Sequence, residues 1–175
     1  MLYIHVGAQT ERRRPRPRAS GRKMTEPTNR AEEAVADMAA ECLAMRSRLI
    51  GRTVTGIYDE ALRPVGVTAG QLNILAVVVR RGPVSPGEVA RRLNIERSTM
   101  SRNVERMKRN GWLSIHPGAS ARSQELRVTK VGRRIIEEAE PLWREAQGRA
   151  RDILGAGGAE KIHQLADAIQ ERKAG

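Results

Sequence analysis

Residues Ser85 to Leu113 read SPGEVARRLNIERSTMSRNVERMKRNGWL, and the fold is decided here. The stretch opens with serine, then proline, with glutamate three positions after the serine. That is a capping box, with proline at the first helical position, where its missing N–H costs nothing. The helix it starts is short, turns Val89, Ala90 and Leu93 inward, and stops at Leu93-Asn94-Ile95, because asparagine tolerates a left-handed backbone. Beyond that corner Met100, Val104 and Met107 recur at spacings of four and three. They mark the buried stripe of a second helix from Glu96 to Asn110, capped by Gly111. Trp112, Ser114 and His116 then alternate with Leu113 and Ile115. Alternation returns over Gln124 to Val128 after the turn-rich Pro117 to Ser123, which predicts a two-stranded hairpin.

Two short helices joined by a tight turn and followed by a hairpin make a winged helix-turn-helix. In such a unit the second helix enters the major groove of DNA and the hairpin reaches an adjacent groove or the backbone. Arg97, Ser98, Thr99, Ser101 and Arg102 lie outside the apolar stripe at the front of that helix, with Arg106, Lys108 and Arg109 behind them. Small hydroxyls let the backbone approach the bases, and an arginine can bond two acceptors on one guanine edge. Ser85 is grouped with these residues as a DNA-binding candidate. A polar helix face is also what ordinary solvation produces, so the order of elements carries the reading further than the face alone.

Working outward, Thr68 and Gln71 make another capping box, opening a helix through Leu72, Ile74, Leu75, Val77 and Val78 to Arg81, where Gly82 and Pro83 stop it. Upstream, Cys42, Leu43, Leu49, Ile50, Val54, Ile57, Tyr58 and Leu62 recur at threes and fours, which predicts one amphipathic helix from Ala31 to Leu62. Downstream, a helical period runs from Thr129 to Leu154, with Pro141 expected to bend it. After Gly155, Gly157 and Gly158 a last helix carries Ile162, Leu165, Ala166 and Ile169. The organisation expected is a disordered tail over 1–30, an N-terminal dimerisation helix over 31–64, a DNA-binding domain over 65–128 and C-terminal dimerisation helices over 129–173. The flanking helices have more apolar face than a domain of about sixty residues can cover, so a second copy should bury it. The fold class is mainly α.

The formal net charge is +12 over 175 residues, with a pI near 11.2. A small chain so basic calls for an anionic partner such as nucleic acid. Arg12, Arg13, Arg14, Arg16, Arg18, Arg22 and Lys23 face one acid, Glu11, so much of the excess lies in the tail. The readings of that tail stay open: a flexible arm that grips DNA, a solvated tail, or a mis-called start with translation beginning at Met24. No apolar run approaches the ~20 residues of a spanning helix, mean hydropathy is −0.52, and the basic cluster follows the apolar opening residues, the reverse of a secretory signal. A cytoplasmic protein without a membrane partner is expected. The single cysteine, Cys42, forbids an intrachain disulfide. His5, His116 and His163 have no ligand spacing, so neither metal nor cofactor is expected. No nucleophile, base and orienter converge, and no Gly-rich phosphate loop follows a strand, which argues against an enzyme.

From about Ala34 to Ile169 the sequence resembles the MarR family of transcriptional regulators. The likeness is strongest over Ser85 to Leu113, with support from YDEALRPVGVTAGQLNIL at Tyr58 to Leu75 and from VTKVG at Val128 to Gly132, where the family usually has L-T-x-x-G. The resemblance implies that Arg97, Ser98, Thr99, Ser101 and Arg102 hold recognition-helix positions and that Arg122 is the wing arginine that enters the minor groove. Where the family pairs that arginine with an aspartate two residues earlier, this chain has Ser120, which implies a less braced wing.

The resemblance also implies a homodimer with interleaved terminal helices, bound to double-stranded DNA at a palindromic operator with half-sites ~10 bp apart. Repression is the expected direction of control. A small phenolic or aromatic effector would sit between the dimerisation and DNA-binding parts, near Arg48, Arg52 and Tyr58. Cys42 offers a rival, redox trigger, although it falls about two residues before the reactive cysteine of the family's hydroperoxide sensors and Arg48 replaces a tyrosine those sensors use. A sequence-neutral DNA-coating protein is the other alternative.

Overall fold

A computed structural model describes residues 27–118, 120 and 123–174. The chain forms two units, residues 1–43 and 44–175. In the first, helix α1 (Pro27–Glu41) begins inside the stretch expected to be tail, and Val35 and Met38 on it are exposed. Where the sequence predicts one helix over 31–62, the structure has α1 and α2 (Leu43–Ala61), parted at Cys42. The Cys42 amide still donates to the Met38 carbonyl at 3.0 Å. A break of one residue leaves the spacing of the flanking apolar positions unchanged, so periodicity does not register it.

The second unit is built around the helix-turn-helix. After α2 a single 3-10 turn (Arg63–Val65) closes on Gly66 at φ 69°. Helix α3 (Ala69–Arg81) opens with both bonds of the predicted capping box: the Thr68 hydroxyl accepts from the Gln71 amide, and the Gln71 side chain accepts from the Thr68 amide. A partner from further away joins them, since the Ala69 amide donates to Asp59 Oδ1 at 2.7 Å and so ties the first turn of α3 to α2. Helices α4 (Pro86–Leu93) and α5 (Arg97–Arg109) follow, then strands β1 (Leu113–Pro117) and β2 (Gln124–Val128), α6 (Lys130–Leu154) and α7 (Gly158–Ala174). The strands pair antiparallel with Leu113 opposite Val128 and Ile115 opposite Leu126. A further bridge, Val84 to Leu126, adds a third piece of backbone to the sheet. The sequence reading has only a helix stop at Gly82 and Pro83 there, because a single bridged residue has no period.

Leu62, Ile74, Leu75, Val78, Val89, Met100, Met107 and Leu126 form the centre of the core. With no phenylalanine in the chain, branched aliphatic residues and methionine fill it, and methionine's flexible thioether suits irregular gaps. A smaller cluster joins Ile57 of α2 to Ala146 and Ala150 of α6.

Helix α6 runs without interruption through Pro141. It is anchored at its start by Thr129, whose hydroxyl donates to the Gly111 carbonyl at 2.6 Å and accepts from the Gly132 amide at 3.0 Å. Gly132 is buried against the same turn: a Cβ there would fall on the Trp112 carbonyl oxygen and lie 2.8 Å from Val128 Cγ1. That backbone cannot yield cheaply. Gly132→Ala should therefore lower unfolding stability by about 1–3 kcal/mol, read as a lower urea midpoint with an unchanged slope; an unmoved midpoint would show that the approach is looser than described.

Candidate nucleic-acid interface

The predicted corner between the two short helices forms. Asn94 takes φ 51° and ψ 46°, and the Asn94 and Ile95 amides close back onto Arg91 and Ala90. Helix α5 then leaves with Glu96 as its N-cap and no side-chain bond to its first-turn amides. Its far end is closed by two backbone bonds, Gly111 amide to Lys108 carbonyl at 2.9 Å and Trp112 amide to Met107 carbonyl at 2.9 Å, with Gly111 at φ 71°. This is a Schellman motif, and it requires the left-handed residue that glycine supplies.

Met100, Val104 and Met107 are buried, as the spacing predicts. The opposite face is open: Arg97, Ser98, Ser101, Arg102 and Arg106 are exposed, and Thr99 is half-buried. Thr99 is partly engaged, since its carbonyl accepts from Asn103 Nδ2 at 3.0 Å and its hydroxyl lies 3.5 Å from Arg102 Nη2. Among the described residues, none of Arg97, Arg102, Arg106, Lys108 and Arg109 is in an ion pair with an acid. A helix face with this much unneutralised positive charge and an uncapped N-terminus suits a polyanion.

Ser85 is exposed at the start of α4, and its hydroxyl accepts from the Glu88 amide at 3.2 Å. The second half of the expected capping box does not form. The Glu88 carboxylate turns to arginines on its own helix, with Oε2 bonding Arg91 at 2.5 and 3.1 Å and Oε1 bonding Arg92 at 2.6 Å. Two charged donors at i+3 and i+4 outcompete one neutral backbone amide. The sequence names all three residues but leaves open which partner wins.

On the wing, Ser114 and His116 of β1 stand opposite Arg127 and Glu125 of β2, with Ser114 Oγ 2.9 Å from His116 Nε2. Near the tip the Ser120 amide donates to Ser123 Oγ at 2.8 Å and the Ser123 hydroxyl donates back to the Ser120 carbonyl at 2.9 Å. Bracing there runs through Ser123, a residue to which the sequence reading assigns no role. Arg122, expected as the minor-groove residue, lies outside the described residues, as does the basic tail.

The residues expected around an effector separate. Arg48 and Arg52 line an open groove of about 490 Å³ along α2 with Gly51, Thr55, Gly56 and Asp59. Tyr58 is not in it: the ring packs toward α6 and its hydroxyl bonds Gln147 Oε1. Cys42 is half-buried. Among the described residues no group of histidine, cysteine or carboxylate side chains could hold a metal ion, and no helix is long and apolar enough to cross a membrane.

Comparison with known proteins agrees with this geometry. A model of the MarR family matches residues 65–123. The transcriptional regulator MosR of M. tuberculosis, solved in complex with DNA, is 34% identical, with a TM-score of 0.64 over 75% of this chain and 98% of that one. The chain belongs to the MarR family. It is a DNA-binding transcriptional regulator with a winged helix fold. The HTH-type regulator YwoH of Bacillus subtilis is 30% identical over 87 residues, half of this chain, and the match spans 64% of YwoH, just under two thirds. BpsR of Bordetella bronchiseptica, whose DNA binding is regulated by 6-hydroxynicotinic acid, shares the fold at 20% identity, with a TM-score of 0.66 over 75% of this chain and 96% of that one.

Burial pushes the Tyr58 hydroxyl above its ordinary pKa, partly offset by the positive charge of Arg151. The folded protein thus holds that proton more tightly than the unfolded chain does. Its contribution is fully present below the unfolded pKa of about 10 and is lost as pH rises through the higher folded value. Stability measured in urea should decline above that pH. Tyr58→Phe should lose the Gln147 bond yet flatten that part of the alkaline decline, whereas an identical decline in the variant would locate the titration elsewhere.

Proposed function

We propose that this MarR-family regulator acts as a homodimeric repressor that seats one copy of α5 in each half of a palindromic operator and is released by a small aromatic or phenolic acid. The observation that carries the reading is the division of α5 into a buried methionine and valine face and an open face of Arg97, Ser98, Ser101, Arg102 and Arg106 without acidic partners. On that face Arg102 is assigned a base edge, the serines and Thr99 allow close approach, and Arg97 and Arg106 meet phosphates. Ser85 at the start of α4 and Arg122 on the wing complete the assignment.

Dimerisation is supported by exposed apolar side chains on the flanking helices of the second unit. Leu49 of α2, Ile153 of α6 and Leu165 of α7 are each more than 60% exposed, a pattern that an isolated soluble chain rarely keeps. Two-fold pairing would place two recognition helices about one turn of DNA apart, ~10 bp. A dimer seated across a promoter excludes polymerase, hence repression. For the effector, the Arg48 and Arg52 guanidinium groups in the α2 groove offer two cations to a carboxylate, and BpsR, which shares the fold, responds to such an acid. Effector binding releases DNA only by favouring one separation of the two recognition helices over another.

Genomic fragments retained by the purified protein should share a palindrome, and footprinting should protect both halves. On that duplex Arg102→Ala should weaken binding by about 1–3 kcal/mol and relax preference at one position per half-site. Equal losses on operator and random duplex would instead indicate a protein that coats DNA without reading it.

A further inference from the structure

The arginines of the helix-turn-helix differ in their company. Those of α5 have no acidic partner among the described residues, whereas Arg91 and Arg92 of α4 share one carboxylate, each on its own oxygen of Glu88. Both guanidinium groups remain at the surface, Arg91 two-thirds exposed (67%). Glu88 gives up its usual bond to the Ser85 amide to make this pairing, since only the Ser85 hydroxyl half of the capping box is formed. The hydrogen bond from Arg91, and after it that from Arg92, holds the Glu88 pKa below the ordinary glutamate range against an opposing desolvation. The carboxylate is therefore charged near neutral pH.

In a helix-turn-helix the first helix crosses the DNA backbone while the second reads bases. Cations on the first helix add affinity that carries no sequence information, and this affinity grows with each phosphate neutralised. In a chain of net charge +12 that background is the main competitor of specific binding. We propose that Glu88 is a specificity-setting residue: by clamping Arg91 and Arg92 it holds the sequence-independent grip of α4 on phosphate below what the two guanidinium groups would exert if released. The inference rests on the placement of α4 along the backbone in the proposed function. Glu88 touches no base in this scheme and acts through its two partners.

The test uses the full chain and a fluorescent 30-bp random-sequence duplex, titrated across salt concentrations by anisotropy. Glu88→Gln keeps the length and helix compatibility of the side chain but releases both arginines. It should bind the random duplex about three- to tenfold tighter at fixed salt and steepen the log-affinity against log-salt slope by roughly one unit per copy bound. Adding Arg91→Ala and Arg92→Ala to Glu88→Gln should abolish the gain, whereas the same two changes in the wild-type background should have a smaller effect because both guanidinium groups are already held by Glu88, whose charge offsets one of the two. Glu138→Gln, at an exposed position of α6, controls for the mere loss of a negative charge and should give less than half the gain. Thermal unfolding of each variant checks that the fold is kept. Unchanged affinity and slope in Glu88→Gln, or an equal gain in Glu138→Gln, would overturn the inference and leave the assignment of α5 standing. Failure of the wild-type chain to bind any duplex would instead overturn the proposed function itself.

Discussion

The rest of the molecule depends on the burial of Met100, Val104 and Met107. These three side chains, at most 5% exposed, fix the rotation of α5 about its own axis. Turned by a third of a revolution, the helix would bury arginine without a counter-charge, at a cost of several kcal/mol. The hydrophobic stripe thus decides which residues DNA can meet, although none of the three touches DNA in the proposed complex. Val89 and Ala90 of α4 belong to the same core and give α5 its seat. The left-handed Asn94 sets the angle at which the chain enters it.

Hydrogen bonds carry that placement outward. The Schellman motif at Gly111 delivers the chain into β1, and Thr129, the N-cap of α6, reaches back to the Gly111 carbonyl, so recognition helix, wing and the start of α6 meet at one turn. Gly132 lets α6 press against this turn. On the other side, Asp59 of α2 caps α3, the helix beneath α4 in sequence and core. The arrangement ties α2 to the start of α3 through Asp59 and sets α6 against α3 and strand β2 of the wing.

Much of this is legible in the sequence because it rests on local chemistry. The Thr68 and Gln71 box, the Asn94 corner, the α5 stripe and the two-stranded hairpin all follow from residue type at fixed spacing, and family resemblance adds the roles. What is not legible comes from competition or from distance. The break at Cys42 leaves the apolar period intact. The Val84 bridge involves one residue. Glu88 has three possible partners within four residues, and only the folded helix shows the two arginines prevailing. Asp59 lies ten residues from the amide it caps, and Tyr58, placed by analogy near an effector, is drawn to Gln147, eighty-nine residues away. For such pairs the sequence names the participants without their geometry.

The central claim is that the polar face of α5 lies in the major groove. It is tested most directly by placing a cleavage reagent on that face: Ser101→Cys in a Cys42→Ser background leaves one thiol, to which an iron chelate can be tethered. Bound to the selected operator, the conjugate should cut both strands within a few base pairs of the centre of each half-site, in the pattern of a major-groove source. Cuts offset across the minor groove, or scattered without symmetry along the duplex, would contradict the account.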